Sequence, residues 1–203
     1  MAAMAKLDLY KEHKQEYITP KKPALIKVGS AKYLTIAGCG EPGGEALQAC
    51  VGALYSVAFT LKMEKKFAGQ DYRVCHLEGL WWGDSVDQPL PEAAPSAWNW
   101  KLLIRVPEFI TKRDLDKTIP KLEEKGKAAE AASVELERIN EGLSVQMLHV
   151  GPYSKEKKTV AEMMILAESK SLSFRGPHHE IYLSDPRRVA PERLRTILRL
   201  PVQ

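Results

Sequence analysis

The sequence holds only three cysteines in 203 residues, Cys39, Cys50 and Cys75, and no two of them stand at CxxC spacing. An odd, scattered set excludes a disulfide framework and paired-thiol zinc sites, and it predicts reduced, buried thiols. Also missing is any apolar run near the roughly 20 residues of a membrane helix, and the start "MAAMAKLDLYKEHK" lacks the apolar segment of a secretory signal. The expectation is a cytoplasmic protein that meets no membrane.

Charge of one sign is not in excess. Thirty basic against 26 acidic residues leave a net +4, too balanced to indicate a nucleic-acid partner. The basic run "SDPRR" at 184–188, with Arg193, Arg195 and Arg199 beyond it, has no interleaved aromatic residue and reads as a proline turn with solvated arginines. No HExxH, GxSxG or P-loop pattern occurs, so no metal and no cofactor are expected. His178 and His179 read as edge or rim histidines, because neighbours on a strand point to opposite faces and cannot easily share one ion. The turn "GCGEPG" at 38–43 satisfies GxGxxG but carries Pro42 and Glu41 where backbone donors and neutrality are needed. The stretch "KMEKK" then continues a helix where a strand ending on a ribose-binding acid should come, so the glycines read as a flexible connection.

What is present is a globular composition, 44% hydrophobic and 28% charged. The first 22 residues are polar and lysine-rich and read as an arm lying over one domain at 23–203. "AKYLTIAG" predicts a buried strand. From Glu45 to about Lys65, Leu47, Val51, Leu54, Tyr55, Ala58 and Leu61 recur at helical spacing and predict a helix against a sheet. "YRVCHLEGLWW" and "WNWKLLIRV" predict two strands joined by a proline-rich loop. A linking helix is expected over about 111–140, with Thr111 and Asp114 as a capping box and a kink or restart at Pro120. "LSVQMLHVG", a helix through Val160, Met163, Met164 and Ala167, then "HHEIYLSD" and "RLRTILRLPV" complete the chain.

The second half echoes the first. Gly151 answers Gly38, Glu180 answers Glu78, and "RTILRLP" answers "KLLIRVP" with Arg199 at the place of Arg105, while the spacing between partners shrinks steadily along the chain. This predicts an α+β fold of duplicated βαββ modules, at about 24–110 and 141–203, related by a pseudo-twofold. The sheet should be rich in antiparallel pairs, with helices on one face and a ligand cleft at the module junction.

"HLEGLWW" at 76–82 sets an acid among apolar side chains, where an unpaired carboxylate costs several kcal/mol or gives up its charge. All four tryptophans, Trp81, Trp82, Trp98 and Trp100, fall within 20 residues around it. Indoles beside an acid suggest a pocket whose flat rings stack on a guest and attract a cation over the ring face, with Tyr55, Met163 and Met164 as adaptable walls.

The stretches "EALQACVGALYSVAFTLK", "LEGLWW", "WNWKLLIRVPEF", "VQMLHVGPYS" and "HHEIYLSDPRRVAPERLRTILRLPV" resemble the GyrI-like small-molecule-binding proteins. That fold is also seen in the effector domains of BmrR-type and Rob-type regulators, and the likeness runs from about residue 24 to the end. It implies a buried glutamate at a cleft, Glu180 with Glu78 as its counterpart, and walls from Tyr55, Trp82, Tyr153 and Tyr182, to which the tryptophan and methionine pattern above adds Trp81, Trp100 and Met164. The partners so implied are lipophilic, aromatic, often cationic small molecules, with the chain a monomer or dimer. Some free-standing members are hydrolases that open the cyclopropane of DNA-alkylating natural products, and Glu180 and Tyr153 would then be the catalytic pair. Other members restrain DNA gyrase through a surface. Binding is the first expectation, hydrolysis the alternative and protein inhibition the remote one.

Overall fold

The computed structural model describes residues 6–91, 94–124, 126 and 129–203, so parts of the expected arm, proline-rich loop and linking helix lie outside the described residues. Six strands, β1 (Ala24–Cys39), β2 (Glu78–Trp82), β3 (Asn99–Val106), β4 (Glu135–Val150), β5 (His178–Tyr182) and β6 (Arg195–Pro201), close into an antiparallel barrel in the order β1-β3-β2-β5-β6-β4. Four helices, α1 (Leu9–Glu12), α2 (Glu45–Phe67), α3 (Lys112–Glu123) and α4 (Glu156–Ser169), accompany it. The sheet is therefore closed, not open. The long strands β1 and β4 pair from Ala24↔Gln146 to Thr35↔Glu135, which joins the two ends.

Alternation along the strands sorts side chains to two sides of the barrel. Leu34, Ile36, Trp81, Trp100, Leu102 and Ile104 turn outward and meet Leu54, Val57, Ala58 and Leu61 of α2 in the largest apolar cluster. Val145, Met147, Leu198 and Leu200 likewise meet Val160, Met163 and Ala167 of α4. The inner side holds a small apolar group, Ala31, Tyr33, Leu80 and Leu103, and a set of charged groups described below. The packing of Trp100 requires a glycine opposite it. A Cβ at Gly38 would come within 2.4 Å of the Trp100 ring, whose residue is 1% exposed. Gly38→Ala is expected to lower stability by about 1–3 kcal/mol, read as a lower urea midpoint at an unchanged slope.

Several expectations are corrected here. The expected helix to residue 140 is corrected at its far end, because Glu135–Asn140 extends β4. The helix-favouring side chains of "ELERIN" give way to the ladder that residues 30–35 of β1 offer them. α3 has the expected capping box, but it runs through Pro120 and ends one turn later. The strand expected from Tyr72 begins only at Glu78, since Tyr72 makes a single bridge to Leu7. Of the three free thiols, Cys75 is buried, Cys50 half-buried and Cys39 exposed. α2 is long and apolar enough to cross a membrane by length and composition, with mean hydropathy 1.3 over its most apolar window. Here its stripe of Leu54, Val57, Ala58 and Leu61 is buried on the barrel.

Candidate functional site

β5 lies beside β2 in the middle of the strand order, and its alternation divides the functional residues. His178, Glu180 and Tyr182 share the helix-covered side, whereas His179 and Ile181 point inward. Glu180 pairs with Gly79, and the missing side chain there is needed. A Cβ at Gly79 would stand 2.8 Å from the Trp81 Nε1 and 2.9 Å from the Tyr182 hydroxyl. Those two groups meet over the gap, with Trp81 Nε1 donating to Tyr182 at 3.0 Å. Because that hydroxyl accepts from the indole, its own proton is left to donate to Glu180.

The turn "GPY" brings up the second half of the site. Gly151, at φ 135°, reverses the chain after β4, and His149 fixes the turn through Pro152 O at 3.2 Å and Thr159 Oγ1 at 2.8 Å. Tyr153 then packs edge-on against Tyr182, ring centroids 6.0 Å apart, and α4 opens with Glu156 buried beneath. Glu180 is 9% exposed and Tyr153 39%, so solvent reaches the site from their side.

Two carboxyls thus meet in a nearly dry place. Burial, and then the neighbouring Glu180 carboxylate with a hydrogen bond between the two, pushes Glu156 well above the usual carboxylate range. That shift favours the protonated form of Glu156. Burial followed by Glu180 and Glu156 pushes the Tyr153 hydroxyl up to about 12, which keeps it a donor. Beside them His178, 1% exposed, gives Nδ1 to Pro89 O at 2.8 Å and turns Nε2 toward Glu180 Oε1 at 3.4 Å without a hydrogen bond. One ligand atom from each of Glu156, His178 and Glu180 lies within 4.8 Å of the others.

The structure brings together Glu180, Tyr153, Tyr182 and Trp81. Tyr55 stacks on Phe59 of α2, with ring centroids 6.0 Å apart and its hydroxyl on the Leu77 backbone. Glu78 and Trp82 are corrected, since strand alternation carries both to the inner side. Glu78 is fully buried, where it accepts from His179 Nε2 at 3.0 Å and Tyr17 at 3.4 Å. Trp82 lines a separate, open pocket of about 220 Å³ with Leu80, Lys101, Glu137 and Ile139. Trp100 is core, and Met164 packs at the edge of the α4 cluster. The pairing of Glu78 with Glu180 is one residue out. Leu103 pairs with Glu78, and Ile197, its counterpart when Arg199 answers Arg105, pairs with Ile181.

The sequence reading missed Glu156 and His178. Glu156 stands three residues after Tyr153, at a helix start where an acid is ordinary, so only its burial reveals it. His178 stands two residues before Glu180, and that period-two spacing was the available signal. Both histidines are 1% exposed, which overturns the rim reading.

Residues 30–203 match the GyrI-like small molecule binding domain. A solved structure of an uncharacterized conserved protein from Listeria innocua is 39% identical, with TM-score 0.89, over 98% of this chain and 100% of that one. A structure described as a hydrolase from Listeria innocua is also 39% identical, with TM-score 0.86 over the same shares. The C-terminal domain of EcmrR shares the fold at 11% identity and TM-score 0.61, over 90% of this chain and 97% of that domain. Among curated proteins none matches the chain.

Proposed function

This chain belongs to the GyrI-like small-molecule-binding family, and we propose that the site around Glu180 takes up a flat, largely apolar small molecule and hydrolyses it. The observation that carries the reading is the pair of buried carboxyls, Glu156 and Glu180, joined by a hydrogen bond beside the Tyr153 and Tyr182 hydroxyls. A site that only captured cations would need one carboxylate, while two that share a proton are an acid–base couple. Glu180, the more exposed of the two, takes a proton from water as the water oxygen bonds to an electrophilic carbon of the guest. The Tyr153 hydroxyl donates to the oxygen that gains the electron pair of the breaking bond. Trp81, Tyr182 and Tyr55 supply the apolar and ring surface.

The Listeria hydrolase at 39% identity supports turnover in preference to capture alone. The substrate class that fits is a DNA-alkylating natural product with a strained cyclopropane conjugated to a carbonyl. Water opens the ring, and the carbon–carbon bonding pair moves into that oxygen. We also read β1-α2-β2-β3 and β4-α4-β5-β6 as duplicated βαββ modules about a pseudo-twofold, a reading supported by a strand order in which each half mirrors the other.

The second reading is binding without turnover, with a lipophilic cation held by the carboxyl pair. Incubation with a cyclopropane-bearing alkylator in ¹⁸O-labelled water separates the two. The expected product is the ring-opened alcohol carrying one labelled oxygen. Intact alkylator together with a saturable rise in thermal midpoint would leave binding alone.

A further inference from the structure

The carboxyl pair Glu156 and Glu180 has His178 beside it, with one ligand atom from each of the three within 4.8 Å of the others. We propose that these three side chains form a binding site for a divalent transition-metal ion, with zinc the natural probe. The site is the one assigned above to hydrolysis, and the inference deepens that reading by naming a second occupant for the place where the carboxyls share a proton.

The donor set is one imidazole nitrogen and two carboxylate oxygens from three side chains, the number found at metal sites that keep a fourth position open for water. Tetrahedral bonds of roughly 2.1 Å place ligand atoms about 3.4 Å apart. His178 Nε2 and Glu180 Oε1 already stand at that separation, 3.4 Å, without forming a hydrogen bond. The histidine is also oriented as ligands are. Its Nδ1 is held by the Pro89 carbonyl at 2.8 Å, which fixes the ring with the proton on Nδ1 and leaves the Nε2 lone pair directed at the two acids.

That lone pair is the independent sign of a guest. His178 is 1% exposed, and leaving its Nε2 without a partner is costly. Glu156 Oε1 is a second buried atom in the same place with no hydrogen-bond partner. One ion would engage both atoms, displace the proton between the carboxyls and release it to solvent. Tyr182, donating to Glu180, and Pro89, accepting from His178, already form the outer ring of support that metal ligands require. The bound ion would present its remaining position to water on the side where Tyr153 opens to solvent.

The test is titration of chelator-treated protein with zinc by calorimetry, in a Cys39→Ser background because that exposed thiol would bind zinc by itself. One ion per chain with a dissociation constant of about 1 µM or tighter is expected, together with a cobalt derivative showing the visible bands of tetrahedral coordination. His178→Ala should weaken binding by about 100-fold or more. His178→Asn, which still fills the space, gives the same readout if the alanine variant folds poorly. Absence of saturable binding up to millimolar zinc overturns the inference, and so does equal affinity in wild type and both variants. Ring opening is assayed in parallel with chelator and with zinc. Turnover in chelator without zinc binding removes the metal and leaves the hydrolase. Tight zinc binding without turnover under either condition does the reverse.

Discussion

Glu180→Gln is expected to slow ring opening by about 100- to 10,000-fold, the range lost when a positioned general base is removed, while the thermal midpoint stays within a few degrees. Glutamine fills the same space and can still accept from Tyr182, so the fold has little to lose. What disappears is the ability to take a proton from water. Glu156→Gln should cost only about tenfold, because the amide still donates to Glu180 and the base survives. The assay is a single-turnover rate with each variant in chelator, which removes any metal contribution. Equal losses for the two variants would overturn this division of labour between the carboxyls. The same substitution reports on binding. A cation about 4 Å from a carboxylate gains about 4 kcal/mol at an effective dielectric near 20. Glu180→Gln should therefore weaken a lipophilic cation far more than a neutral analogue of equal size, and equal weakening would mean that aromatic contact alone holds the guest.

Local patterns carried most of the architecture. Helical spacing located α2 and α4, and short alternating or apolar runs located β1, β3 and β6, because each element buries one face and that periodicity is written in its own residues. The resemblance to the GyrI-like proteins, and not local periodicity, brought Glu180, Tyr153 and Tyr182 into one place. What stayed hidden depends on partners distant in sequence. The six residues at 135–140 favour a helix by themselves and become strand only because β1 needs a mate. Glu78 was recognised as an acid in a dry place, but which side of the barrel it faces turns on register, and a slip of one residue reverses the side. A motif match between "LEGLWW" and "HEIYL" cannot detect such a slip, whereas the ladder shows it directly. The glutamate that does join Glu180 comes from a helix start, where sequence gives no sign of burial.

The answer to the buried Glu78 is an internal partnership. Both ring nitrogens of His179 face carboxylates, Nδ1 to Glu141 at 2.7 Å and Nε2 to Glu78 at 3.0 Å. Carboxylates only accept, so the ring donates from both sides and carries a positive charge. Arg199 continues the chain to Glu141 and reaches Gln146 at 2.8 Å and Glu16 O at 2.6 Å. Arg105 ties in Glu16 at 2.6 Å and Tyr17 at 3.1 Å, so the segment after α1 closes this side of the barrel over alternating charges. His179 sits between His178 and Glu180 in sequence, so the network fixes the strand that presents the site.

Glu141→Leu is accordingly expected to cost about 3–5 kcal/mol, because it strands two buried cations, His179 and Arg199, against each other. For a chain of this size that lowers the thermal midpoint by about 10 °C. The pH profile should identify the cause. Burial alone would lower the pKa of His179, but Glu141 and then Glu78 outweigh it and raise it from an ordinary 6.5 to about 9. Its stabilisation is complete below about 6.5 and is lost as pH climbs through about 9. Burial alone would raise Glu141, but His179 and Arg199 hold it from an ordinary 4.5 down to about 2. That contribution is complete above about 4.5 and fades as pH falls toward about 2. Urea midpoints of the wild type should form a plateau between these limits and decline from about pH 6.5 to 9. Glu141→Leu removes the strongest support for the imidazolium, so its alkaline decline should largely flatten. A wild-type midpoint that is level across that decline would mean that His179 is neutral. The two carboxylates would then have to share protons without it.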